Sequence, residues 1–145
     1  MLTSVPLLII SVILYVLLWV IGGMGAESGT AMETFLAGSI SLTMFSGDVW
    51  HLSVGDLLLT ISLVLLFIEI VKSTSTGASS IINHGLSMIV FVLCIILFIV
   101  SPGFANSVFF LITVMALLDV VAGFTITIVA AKRDLGVAPG IVGTH

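Results

Sequence analysis

Four stretches of this chain are apolar for the length of a bilayer crossing, and this limits the fold more than any other feature. They cover roughly 5–23, 54–72, 81–100 and 107–131. A helix rises about 1.5 Å per residue, so about 20 apolar residues cross the hydrocarbon layer. The composition agrees, with 60% hydrophobic and only 7% charged residues. Soluble domains carry roughly a quarter charged residues. A water-soluble fold of 145 residues has too much surface for its volume to hide that much apolar material. The expected fold is therefore an all-α integral membrane protein: one transmembrane domain over residues 1–145, built as an antiparallel four-helix bundle.

Each run carries helix punctuation. Ser4 is placed to cap the first, with Pro6 in its opening turn and Gly22-Gly23 at its close. Ser53 with Asp56 resembles a capping box for the second. Ser80 is the expected cap of the third, and Pro102-Gly103 its stop. Asn106 or Ser107 caps the fourth. The first run has no basic leader and is long for a signal-peptide core, so it reads as a retained helix.

The basic residues set the orientation. Lys72 follows the second run, and Lys132 and Arg133 follow the fourth. With four crossings both places lie on one side, which the positive-inside rule makes cytoplasmic, as it does both termini. Trp19 and Trp50 then fall at the opposite interface, where indoles prefer to sit. The expected location is a bacterial cytoplasmic (inner) membrane. In the long outer loop, residues 30–45 place Met32, Phe35, Leu36, Ile40 and Met44 on one helical face. Thr30-x-x-Glu33 opens that stretch as a capping box, and Gly47 closes it. An amphipathic helix on the outer interface is expected there, with a structured loop over the bundle or a docking site as alternatives.

Several function classes drop out. Three cations do not make a nucleic-acid footprint. A lone Cys94, mid-run and apolar-flanked, offers neither a disulfide within the chain nor a reactive thiol. No HExxH, GxSxG or P-loop occurs. No row of arginines makes any run a voltage sensor. No catalytic, cofactor or metal site is expected.

What remains is a polar thread. In lipid, the inward side of a helix is marked by small and polar residues. Ser11 and Tyr15, then Ser62 and Glu69, then Asn83, Ser87 and Cys94, then Ala116, Asp119 and Gly123 each share a face of their run. The short connections between runs two, three and four predict that consecutive helices are neighbours. Asp119 lies twelve residues from either end of its run, about 18 Å, which places it at the midplane. Ser11, Tyr15 and Ser62 fall at the same expected depth, where no Lys, Arg or His is expected. A carboxyl there is expected to be neutral and hydrogen-bonded, to Tyr15 first and Ser62 second. A second constellation, Glu69, Lys72 and His84, is expected at the cytoplasmic mouth, with Asn83 at matching depth. A shift of 50 residues superposes Glu69 on Asp119, a weak hint that runs two and four repeat.

Two functions fit. One is a non-enzymatic accessory, assembly or scaffold protein acting through lateral helix contacts, its partners being membrane lipids and a homo-oligomer or larger membrane complex. The other is a small proton- or cation-linked transporter or channel, oligomeric, with Asp119 as carrier and Glu69 and His84 at its inner mouth.

Overall fold

The computed structural model describes residues 5–22, 30–73 and 78–136. It is mostly helical. In chain order come α1 (Leu8–Gly22), α2 (Thr30–Ala37), strands β1 (Ser39–Thr43) and β2 (Val49–Ser53), α3 (Val54–Ser73), α4 (Ala78–Val100) and α5 (Ser107–Gly136). Three helices, α3, α4 and α5, are long and apolar enough to cross a membrane. The first is shorter, 15 residues or about 22 Å.

The punctuation is largely where the residues put it. Ser53 and Asp56 form a reciprocal capping box: the Ser53 N–H donates to Asp56 Oδ2 at 2.9 Å, and the Asp56 N–H to Ser53 Oγ at 3.0 Å. Asn106 caps α5, its Oδ1 accepting the Phe109 N–H at 3.1 Å. Gly103 ends the α4 turn with φ +85°, a region that favours glycine. Ser80 is not a cap, because α4 already begins at Ala78. Ser4 and Gly23 lie outside the described residues.

The segment between α1 and α3 departs from expectation. Helix α2 stops at Ala37, and the chain then forms an antiparallel hairpin pairing Ser39 with Ser53 and Thr43 with Val49. The stretch Ser-Ile-Ser-Leu-Thr alternates polar and apolar, a period of two that suits a strand better than a helix. Gly47, expected to stop a helix, sits in the hairpin turn with φ +91°. Helix α2 turns its apolar side inward. Met32 and Leu36 are buried in the core, and Phe35 packs over Gly22, where a Cβ would meet its ring at 2.4 Å.

Helix packing also corrects the expected neighbours. Antiparallel α4 and α5 pack along their length, marked by Phe98 against Phe110 and His84 against Phe124. On its other side α5 packs on α3, and α1 lies on α3 while touching α4 and α5. Consecutive α3 and α4 do not pack along their length, and meet through the side chain of Asn83. The buried face of α5, with Ala116 and Gly123, is narrow enough to take a helix on either side.

The interior has layers. Toward the hairpin end, Val12, Tyr15, Met32, Leu36, Leu58, Val90, Cys94, Phe104, Phe109 and Ile112 form one apolar core. Leu8, Leu66 and Ala116 form a smaller layer below it. One turn beyond that, toward the end of α3 bearing Lys72, the interior becomes polar.

Candidate functional site

Nine polar side chains are buried among the described residues, and six cluster at the Lys72 end or beside it: Glu69, Ser73, Asn83, His84, Ser87 and Asp119. Glu69 is the centre. Its carboxylate is wholly buried and accepts from three elements. The Leu7 N–H, at the amino end of α1, donates to Oε2 at 2.8 Å. Asn83 Nδ2, from α4, donates to Oε1. Lys72 Nζ, one turn along α3, lies 3.1 Å from Oε1 and 3.2 Å from Oε2. Lys72 also donates to the Val5 carbonyl at 3.0 Å.

This arrangement has a physical logic. The first N–H groups of a helix lack partners within it and sit at the positive end of its dipole. A carboxylate placed there from another helix satisfies one donor and is itself stabilised. Glu69 thus caps α1 from α3, while Asn83 ties in α4. Lys72 supplies the counter-charge and keeps its ammonium partly in contact with solvent or headgroups, its side chain being 23% exposed. The expected meeting of Glu69 with Lys72 is seen. His84 takes a different direction, toward α5, where its ring fills the space a Cβ at Gly123 would occupy.

Asp119 joins this layer and not the one expected. Ser87 is the side chain that acts on it most directly, and Glu69, His84 and Lys72 reach it through space. Ser87 faces the carboxyl without closing a hydrogen bond of standard geometry, and the buried Ser11 hydroxyl also has none. Three expectations are corrected together. Asp119 is not bonded to Tyr15, it is not bonded to Ser62, and a histidine of its own chain stands one turn away, the His84 ring against Gly123. The reason lies in the register of α1. That helix hangs by its amino end from Glu69, which is level with Asp119, so Tyr15 sits two turns away. Tyr15 packs on Phe109 with ring centroids 4.6 Å apart, ten residues and about 15 Å along α5 from Asp119. The Ser62 hydroxyl donates instead to the Leu58 carbonyl of its own helix at 2.8 Å.

Tyr15 has another task. Its hydroxyl donates to the Gly103 carbonyl at 2.7 Å and accepts from Asn106 Nδ2. Trp19 Nε1 donates to the Pro102 carbonyl at 3.1 Å, and Phe104 packs against both the Tyr15 and Phe109 rings. The α1 aromatics thus grip the turn between α4 and α5. Tyr15→Phe is expected to cost about 1 kcal/mol, the net worth of one such hydrogen bond. Gly103→Ala is expected to cost about 1–3 kcal/mol, from a left-handed backbone and a Cβ 2.8 Å from Trp19 Nε1. Unfolding in mixed micelles measures both, and a Gly103→Ala protein as stable as the parent would contradict the grip.

Asn83, as the link between α3 and α4, and Glu69, as a cap for α1, were missed from sequence. The signal was there in part: Asn83 belongs to the inward stripe of its helix, and Glu69 stands one turn before Lys72. Among the described residues, no three of His, Cys, Asp and Glu converge as a metal ion requires. The outward faces of α3, α4 and α5 are mostly Leu, Ile, Val and Phe, with Thr60, Met88 and Thr125 among them, and α3 carries an apolar groove of about 450 Å³ lined by Leu63, Val64, Leu66, Phe67 and Ile70. No family model matches this chain, and neither does any curated protein or solved structure.

Proposed function

We propose that this chain is a small four-span integral membrane protein of a bacterial cytoplasmic membrane, non-enzymatic, that acts as an accessory or scaffold component through lateral helix contacts. In this reading α1 is the fourth crossing, shortened because Glu69 holds its amino end inside the bundle. Lys72, Lys132 and Arg133 gather at one end and Trp19 and Trp50 at the other, which favours cytoplasmic termini.

The observation that carries the reading is how the polar groups are used. Glu69, Lys72 and Asn83 are bonded to one another and to α1, so the most polar part of the interior serves as a tie between helices. The surface left for partners within the bilayer is apolar, and the groove on α3 gives a lipid chain or a partner helix a place to seat.

A second reading rests on Asp119. Lys72 is held by Glu69 at 3.1 Å, while the Asp119 carboxyl is buried within the helices one turn from Gly123 and the His84 ring seated there. A proton- or cation-linked transporter would use that pair, as an oligomer, because four helices are few for a pore. Reconstitution separates the readings. Under the scaffold reading, purified protein in vesicles carries no acid-driven flux, a partner or second copy is captured by cross-linking from Leu63 or Phe67, and Asp119→Asn changes neither result. An acid-driven flux that Asp119→Asn abolishes would overturn it in favour of transport.

A further inference from the structure

Among the described residues the hairpin β1–β2 is the one regular element outside the helices, and its two faces differ sharply. Directly paired residues of an antiparallel ladder share a face. Ser39 with Ser53 and Ser41 with His51 therefore lie on one side, joined by Thr43 and Val49. Ile40 with Leu52 and Leu42 with Trp50 lie on the other. The first face is polar except for Val49, and Ser41 and His51 are hydrogen-bonded across it at 3.2 Å. The second face is wholly apolar. Ile40, Leu42 and Trp50 are exposed on it, and Phe45 stands fully exposed at the tip beside Met44.

A two-stranded hairpin with one apolar face bare is at best marginally stable in water. Its position suggests what covers it. Ser53, the last residue of β2, is followed at once by Val54, the first of α3, so the hairpin starts where an apolar helix of spanning length starts. The helix that follows also exposes apolar side chains, Leu57, Ile61 and Val64 among them. From Thr34 to His51 the only formally charged residue is Asp48, which accepts from the Ser46 hydroxyl in the turn at 3.0 Å. Lacking Lys and Arg, the hairpin has no pull toward an acidic protein or anionic headgroups. An aromatic at the tip and an indole mid-strand are the side chains that favour the bilayer boundary.

We infer that the hairpin is a membrane-interface element that lays Ile40, Leu42, Trp50 and Phe45 into the boundary between headgroups and acyl chains. The occupant of its apolar face is an uncharged lipid surface. The depth is bounded from both sides. The apolar face needs hydrocarbon, but the outer edges of a two-stranded sheet carry unpaired backbone groups that hydrocarbon does not satisfy. The hairpin therefore lies shallow, with its edges and its Ser41–His51 face toward water. This rests on the reading that α3–α5 span a bilayer.

The test uses tryptophan fluorescence in phosphatidylcholine vesicles. Trp19→Phe leaves Trp50 as the sole indole, and the difference between the parent and Trp50→Phe gives the same signal without touching Trp19. Trp50 is expected to emit at short wavelength, resist aqueous iodide, and lose most of its emission to lipids brominated near the headgroup end of the chain. Leu42→Asp is expected to shift it to long wavelength and restore iodide access. Trp50 that iodide quenches as freely as indole in water would overturn the inference. So would Trp50 shielded from iodide yet unaffected by brominated lipid, a result that points to a second copy or another protein on this face. Leu63→Trp in a background lacking both native tryptophans separates this failure from failure of the spanning reading. If α3 crosses the bilayer, that probe is quenched by lipids brominated deep in the chain, whatever Trp50 does.

Discussion

Replacing Glu69 by Leu is expected to be the most damaging single change among the buried polar residues, destabilising the chain by about 3–5 kcal/mol. Individual hydrogen bonds within membranes are worth less than about 2 kcal/mol, so the number needs a reason beyond bond counting. The reason is what stays behind. Leu at 69 leaves the Leu7 N–H and the Asn83 amide without their acceptor and removes the carboxylate 3.1 Å from Lys72. The stranded ammonium and donors dominate the loss. Two further variants follow from this. Glu69→Gln keeps an acceptor and is expected to lose less. Glu69→Leu combined with Lys72→Leu removes the stranded charge and is expected to recover part of the loss, since a well-packed apolar pair often replaces a buried ion pair at little cost. Hydrogen exchange adds a readout that global unfolding does not: with Glu69 gone, the first turn of α1 is expected to exchange before the rest of the helix. Equal unfolding midpoints for the parent and Glu69→Leu in a sodium dodecyl sulfate titration would show that this carboxylate does not hold α1.

That prediction rests on a contact the sequence only half reveals. The inward stripes of α3 and α4 are legible because lipid-facing residues are uniformly apolar, so Glu69, Asn83, Ser87 and Asp119 stand out by residue type alone. The positions of Gly103 and Asn106 are legible because turn and cap chemistry is local. Register between helices is not local. Assuming that four runs share a midplane places Asp119 beside Tyr15, but α1 is anchored by its amino end to Glu69, and nothing within α1 announces it. The stretch after Ala37 fails for a different reason. Ile40 and Met44 fit a helical spacing with Met32 and Leu36, and they also fit a strand alternation with Leu42. The turn glycine at 47, with the paired run from Val49 to Ser53 beyond it, decides for the hairpin. The packing of α4 against α5, with α3 and α4 kept apart, follows from the small residues Ala116 and Gly123, whose use depends on the helix that meets them.

Gly123 gives that last point a measurable consequence. A Cβ at this position falls 2.2 Å from His84 Nδ1 and 2.4 Å from Cε1, inside any permissible contact. The ring has little room to retreat, since His84 is buried and Phe124 lies with its ring centroid 6.1 Å away. Overpacking of this kind costs about 1–3 kcal/mol. Against it stands the gain from replacing glycine by alanine in a helix interior, about 1 kcal/mol. With two ring atoms inside 2.5 Å, the clash is expected to win, and Gly123→Ala should destabilise the protein by about 1–2 kcal/mol. The sign turns on His84, which supplies the three atoms nearest that Cβ. In a His84→Ala background the obstruction is gone and only the helix preference remains, so Gly123→Ala is expected to become stabilising by up to about 1 kcal/mol. A double-mutant cycle in mixed micelles reads this reversal directly, because the two residues touch and their effects should not add. Gly123→Ala with the same sign and size in both backgrounds would mean that the imidazole does not occupy this seat. The same cycle bears on Asp119. The glycine fixes where the His84 ring stands relative to that carboxyl, and a ring displaced from Gly123 would alter any property that depends on the pair while leaving the Glu69–Lys72–Asn83 tie in place.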